Sequence, residues 1–134
     1  MVTATLTNST DIGAAEMGAI DASKVRRLEV EFLVDTGAAM ICLPSQLIGQ
    51  LGLQKRHERD VLTANGPVQR SVYSPVLINI DGRETELSVM ELPPETPALL
   101  GYLPLEALDL YPNPNTQTLE GNPRYDGKMV TDLL

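Results

Sequence analysis

Apolar and polar residues alternate most regularly between positions 25 and 34. Leu28, Val30, Phe32 and Val34 fall on one face of an extended chain, and charged residues occupy most positions between them. A period of two residues predicts a strand that is buried on one face. Asp35 follows at once, so the pattern predicts that a carboxylate stands directly after a buried strand.

Apolar runs elsewhere predict a series of short strands and two hairpins. Asn65-Gly66 and Asp81-Gly82 each separate two alternating runs, and these dipeptides are strong local signals for a tight hairpin turn. The predicted strands are 2–7, 25–34, 40–43, 61–64, 68–73, 76–80, 87–89, 98–101, 110–112 and 117–120.

Two further segments begin with proline and carry apolar residues at helical spacing. Pro44 would be the first residue of a helix that stops at Gly52, and Pro104 would open another short helix. Residues 8–23 show no clear period and are rich in Gly, Ala, Ser and Asp, so we predict a loop there. A mostly β protein with one or two short helices is expected.

Size and charge narrow the class of protein. The chain has 134 residues, enough for one domain, and its ten prolines and ten glycines favour many short elements joined by turns. A formal net charge of −8 argues against a nucleic acid or an anionic membrane as partner. Cys42 is the only cysteine, the first residues do not resemble a signal peptide, and no apolar run reaches the roughly 18 residues of a membrane span. A cytoplasmic protein is therefore expected.

Asp35-Thr36-Gly37 is the candidate site for chemistry. A carboxylate at the end of a buried strand is expected where water is scarce, and there it must find a partner or bind a proton. Thr36 offers a hydroxyl group, and Gly37 allows a turn and a close approach. The same three residues also suit an ordinary turn that ends a strand, so the motif alone leaves the function open.

The order of the elements resembles that of the retropepsin-like aspartic proteases, which include the retroviral enzymes and many small bacterial proteins. Asp35-Thr36-Gly37-Ala38 is similar to the family's catalytic motif, and Leu99-Leu100-Gly101 is similar to its second signature. Asn65-Gly66 stands where the family has the tip of its substrate-covering flap. The resemblance runs from Leu28 to Leu119 and looks closest to the bacterial branch.

The resemblance implies a closed β-barrel that functions as a twofold homodimer on peptide substrates, with no cofactor and no metal. The protease domain would span residues 1–120, and 121–134 would be a tail that is flexible or lies at the dimer interface. The implied catalytic residues are Asp35, Thr36 and Gly37. The implied substrate-binding residues are Ala38, Thr63, Ala64, Asn65, Gly66, Leu100 and Gly101.

The chain supplies only one suitable aspartate, whereas this chemistry needs two carboxylates that share one proton. The resemblance therefore implies that Asp35 of each subunit meets its counterpart on the twofold axis, where Thr36 would brace the two loops. Two departures from the family pattern stand out. Residues 38–42 are apolar, which predicts a milder pH optimum than that of a gastric enzyme, and Tyr102 replaces an arginine that ties retroviral dimers together.

Two other interpretations are open. The same fold could bind peptides as a dimeric interaction module without cutting them. Alternatively, Cys42 and His57 could form a cysteine hydrolase, but Cys42 lies in an apolar run without a neighbouring positive group, so we expect an inert thiol.

Overall fold

The computed structural model describes residues 1–116, 118–125 and 127–129. The strands, in chain order, are β1 (Val2–Asn8), β2 (Arg27–Val34), β3 (Ile41–Pro44), β4 (Lys55–Thr63), β5 (Gly66–Ile80), β6 (Arg83–Leu92), β7 (Ala98–Leu100), β8 (Leu110–Asn113) and β9 (Thr118–Gly121). The helices are α1 (Ser9–Glu16), α2 (Ser45–Leu51) and α3 (Tyr102–Ala107), with short 3₁₀ turns at Ala22–Lys24 and Pro123–Tyr125.

Six of the strands close into a barrel. The neighbours run β1-β2-β7-β3-β6-β5, and β5 pairs back with β1, so the sheet has no free edge at this seam. β4 lies outside the barrel, and β5 is its only partner among the described strands. Because β5 is 15 residues long, its first half carries β4 in a hairpin while its second half belongs to the barrel wall. The mostly β closed barrel is confirmed.

The apolar pattern found in the sequence fills the barrel. Val30 and Phe32 of β2 are buried, and Leu28 and Val34 pack against the core from its margins. Val76, Ile78 and Ile80 line the same core from β5. Alternation arises because one face of each strand points inward, so these strands could be found from the sequence.

The loop predicted for residues 8–23 is wrong, since α1 occupies Ser9–Glu16. The helix is fixed by polar contacts rather than by an apolar stripe. Buried Asn8 caps it by accepting from the Asp11 backbone N–H at 3.1 Å, and the Asn8 amide donates to the Leu51 carbonyl at 2.8 Å. Asp11 in turn binds the Arg26 guanidinium at 2.9 and 3.0 Å. The described residues thus contain three α-helices.

The other two helices begin at different residues from those predicted. Gly52 stops α2 as expected, since it follows the last helical residue, Leu51, and has φ of 64°. Pro44 is the N-terminal cap of α2 and not its first helical residue. α3 begins at Tyr102, two residues before Pro104.

Both predicted hairpins are present. Asp81 and Gly82 have φ of 51° and 86°, so this two-residue turn has the left-handed conformation that a tight hairpin requires. The first hairpin is centred one residue earlier than predicted, because Thr63 pairs with Gly66 and leaves Ala64-Asn65 as the loop. The Thr63 hydroxyl donates to the Gly66 carbonyl at 2.6 Å and accepts from the Asn65 N–H at 3.2 Å.

The C-terminal part forms a separate two-stranded hairpin of β8 and β9. The Arg83 guanidinium holds the preceding turn by donating to the carbonyls of Leu108 and Asp109 at 2.9 and 2.8 Å, and it also donates to the Gly127 carbonyl. Residue 117 and much of the predicted tail, 126 and 130–134, lie outside the described residues. The division of the chain at residue 120 therefore stays a prediction. None of the described helices has the length and apolar character needed to cross a membrane.

Candidate active site

Asp35 directly follows the last residue of β2. The parallel hydrogen bonding between β2 and β7 continues as far as Asp35. Val34 lies opposite Leu100 in the ladder. The Asp35 N–H then donates to the Leu100 carbonyl at 3.0 Å. The backbone of Asp35 is thus fixed to the barrel, and only its side chain extends past the strand ends.

A short turn places the carboxylate. Its Oδ1 accepts a hydrogen bond from the Gly37 N–H at 3.0 Å, and the Ala38 N–H donates to the Asp35 carbonyl at 3.0 Å. A Cβ atom at Gly37 would lie 3.1 Å from the carboxylate oxygen. Gly37 does not have a left-handed φ, so its function in the turn is to leave room beside the carboxylate rather than to supply an unusual backbone conformation.

Gly101 passes directly beneath this turn. Its N–H donates to the Met40 carbonyl at 3.0 Å, and the next two N–H groups, of Tyr102 and Leu103, donate to Ala38 and Ala39, each at 3.0 Å. A Cβ atom at Gly101 would lie 2.6 to 2.7 Å from backbone atoms of residues 38–40. Only glycine leaves space for this contact, so the second predicted motif supports the loop that carries Asp35.

The motif is open to solvent in the single chain. Asp35, Thr36 and Gly37 are exposed, and Ala38 is half-buried. The expectation that the carboxylate lies where water is scarce is therefore wrong for one chain alone. The Asp35 carboxylate accepts a hydrogen bond from the Gly37 N–H, and no described cation lies within 4 Å of it. The Gly37 N–H is thus its only partner among the described residues.

The other predicted site residues fall in two places. Thr63, Ala64, Asn65 and Gly66 form the end of the β4–β5 hairpin and are exposed or half-buried. Leu100 and Gly101 are buried beneath the loop of residues 35–40, and Leu100 belongs to the barrel core. In the single chain these two residues contact the loop from below and do not line an open surface.

Cys42 lies under the same loop but is unsuited to nucleophilic chemistry. Burial, together with the negative charge of Asp35, raises the pKa of its thiol to about 11. A reactive cysteine needs the opposite shift. His57 is exposed on β4. The alternative of a cysteine hydrolase thus loses its nucleophile.

Comparison with known proteins now decides the family. The model of the gag-polyprotein putative aspartyl protease family matches residues 9–106, a range that includes Asp35-Thr36-Gly37, the β4–β5 hairpin and Gly101. The chain belongs to this family. It is thus a retropepsin-like aspartic protease by fold and family, whereas its place in the bacterial branch stays a prediction.

The chain is also similar to a solved viral protease structure. The solution structure of simian foamy virus (mac) protease matches with a TM-score of 0.45 and 22% identity, over 60% of this chain and 84% of that one. A search of curated proteins finds no match.

Proposed function

We propose that this aspartic protease is an endopeptidase that is active as a twofold homodimer. The observation that supports it most is the exposed Asp35 carboxylate on a loop held by backbone hydrogen bonds to Leu100 and Gly101. One chain supplies one such carboxylate. A second copy would bring its own Asp35 alongside, and this would also exclude water from a group that one chain leaves exposed.

The proposed reaction needs no covalent intermediate. Two carboxylates within hydrogen-bond distance cannot both be ionised, so they share one proton. The anionic carboxylate takes a proton from a water molecule that attacks the peptide carbonyl, and the neutral carboxyl donates to the carbonyl oxygen. As the tetrahedral intermediate collapses, the leaving amine is protonated. Thr36 would brace the two loops across the axis.

Apolar surface next to the loop favours a second copy as the partner. Leu33, Tyr102 and Leu103 are each 41 to 42% exposed, and all three are close in sequence to Asp35 or Gly101. A cleft of about 330 Å³ lies beside Thr36, lined by Leu33 and by apolar residues of the N-terminus and the β8–β9 hairpin. Large exposed side chains beside a site suit a protein interface.

The β4–β5 hairpin is proposed as the flap. Its end, Thr63–Gly66, extends beyond the closed barrel, and its strands offer backbone groups that an extended peptide could pair with. The substrate class would be peptides or unfolded proteins. We place the reaction in the cytoplasm, because a single buried thiol suits a reducing compartment.

Asp35→Asn tests the proposal because it keeps the shape of the side chain and removes its ionisation. Wild-type protein should cleave a denatured protein in mild acid, and the variant should show no cleavage above background. Sedimentation analysis of both proteins should find a dimer that a statine-type peptide stabilises. Equal cleavage by both proteins would remove Asp35 from the mechanism. A dimer that binds peptides but never cleaves them would favour the interaction module.

A further inference from the structure

Two arginines face each other across the β4–β5 hairpin. Arg59 is the direct partner of Arg70 in the antiparallel register. Side chains at directly opposed positions lie on the same face of the sheet, with Cβ atoms about 5 Å apart. Like charges at such positions destabilise a hairpin. An arrangement that costs stability is expected where function requires it.

This face of the hairpin is the one directed toward the loop of residues 35–40. An Arg59 guanidinium nitrogen lies 3.9 Å from the Met40 sulfur, and the Met40 carbonyl is the group that holds Gly101. Val61, two residues along β4 and therefore on the same face, packs against the buried cluster that contains Cys42. Both contacts place the arginine pair on the inner side of the hairpin.

Neither arginine has an anionic partner among the described residues. The ion pairs found there within 4 Å are Asp11 with Arg26 and Lys55 with Glu58. Glu91 lines a cleft of about 210 Å³ together with Arg70, but it accepts a hydrogen bond from the Tyr73 hydroxyl at 3.0 Å. The chain as a whole has a net charge of −8, so two neighbouring arginines without an anionic partner form a local region of positive charge on the inner face of the hairpin.

We propose that Arg59 and Arg70 bind an acidic side chain of the peptide, so that the enzyme selects substrates with Glu or Asp near the cleaved bond. A guanidinium group binds a carboxylate through two parallel hydrogen bonds, and a second guanidinium adds charge. A bound carboxylate would also relieve the repulsion between the two arginines. The proposal rests on the flap assignment above, and it adds the class of substrate side chain.

Position-matched peptides test this selection. A quenched fluorogenic peptide carries Glu, Gln or Lys at a single position, and that position is moved in turn along the sequence around the cleavage site. At one position or more, wild-type protein should cleave the Glu peptide with a kcat/KM about tenfold above that of the Gln peptide. The Lys peptide should be the poorest substrate, and added salt should reduce the difference.

Two double variants and one control show whether Arg59 and Arg70 cause the preference for Glu peptides. In R59Q/R70Q the ratio of kcat/KM for Glu and Gln peptides should fall to about one, and in R59E/R70E the order of Glu and Lys peptides should reverse. R27Q removes one positive charge from an exposed position on β2, paired with Thr7 of β1, and should keep the wild-type ratio. Circular dichroism and the unfolding midpoint check that each variant is folded.

A binding experiment separates this proposal from the proposed proteolysis. Labelled Glu and Gln peptides are titrated with the Asp35→Asn protein, with and without R59Q/R70Q, and anisotropy is measured. Tighter binding of the Glu peptide, lost in the arginine variant, supports the proposal even if wild-type protein cleaves nothing. A Glu-to-Gln ratio that is the same with and without the two arginines, in cleavage or in binding, overturns it.

Discussion

Replacing Gly101 by alanine should disturb the loop of residues 35–40 that carries Asp35. Gly101 has φ of −82° and ψ of −175°, a conformation that alanine adopts freely, so any cost must come from contacts. The added Cβ would lie 2.6 Å from the Ala38 carbonyl oxygen and 2.7 Å from the Met40 nitrogen. These are backbone atoms, which cannot move aside as the end of a side chain can.

The expected cost follows from two effects. Overpacking of a tight contact costs about 1–3 kcal/mol. Moving the strand away from the loop also strains the three backbone hydrogen bonds that Gly101, Tyr102 and Leu103 donate, and each one lost costs about 1 kcal/mol. We expect Gly101→Ala to lower the free energy of unfolding by about 2–5 kcal/mol, which corresponds to about 8–20 °C in the melting midpoint. Because displacement of a catalytic group by about 1 Å costs on the order of 100-fold, kcat/KM should fall at least that far.

Gly49→Ala is the matched control for urea unfolding and peptide cleavage. Gly49 lies in α2, and a Cβ there would meet nothing within 4 Å. Alanine should therefore stabilise the helix by about 0.5–1 kcal/mol and leave cleavage unchanged. If Gly101→Ala unfolds at the same urea concentration as wild type, the close contact under the loop does not exist in solution. A stable variant that has lost its activity would show that the loop depends on this residue in another way.

Three further predictions concern pH and chemical reactivity. The Arg26 guanidinium holds the pKa of Asp11 below its usual value. The ion pair should therefore stabilise the fold at neutral pH and lose this effect as the pH falls from about 4. The urea midpoints of wild type and Asp11→Asn should converge below that pH. Since residues 38–40 offer no side-chain hydroxyl to the Asp35 pair, the pH–rate profile should peak in mild acid, and a peak near pH 2 would contradict this. The buried Cys42 thiol, with a pKa of about 11, should resist alkylation at pH 7.5 unless the protein is unfolded.

Much of the barrel could be predicted because its strands carry local signals. β2 and the second half of β5 alternate with a period of two, since one face of each points into the barrel core. The turn at Asp81-Gly82 needs residues that tolerate a left-handed φ, so the dipeptide was sufficient to predict it. The first hairpin was displaced by one residue because Thr63 ends the strand by pairing with Gly66, so Ala64, which the pattern placed in the strand, lies in the loop.

The parts that escaped prediction depend on contacts between distant residues. α1 has no apolar stripe, and its position is set by Asn8, which bonds to Leu51 some 43 residues away, and by the pairing of Asp11 with Arg26. In the sequence alone, Asn8 and Asp11 are polar residues in a segment without a clear period, so nothing local indicates that they fix a helix. The pairing of Arg59 with Arg70 was hidden for the same reason, because it appears only when the register of the hairpin is fixed.

The loop of residues 35–40 shows why the Asp35-Thr36-Gly37 motif could be predicted from the sequence while the surroundings of its carboxylate could not. Ala38, Ala39 and Met40 hold Gly101 and α3 through their carbonyl oxygens, so their side chains are free to depart from the family's pattern without loss of the loop. The geometry that positions Asp35 is therefore complete within one chain. One chain does not exclude solvent from the Asp35 carboxylate, because the side chain is exposed in it. In the proposed dimer the second subunit adds the other carboxylate and the dry surroundings, and neither is encoded in the residues next to Asp35.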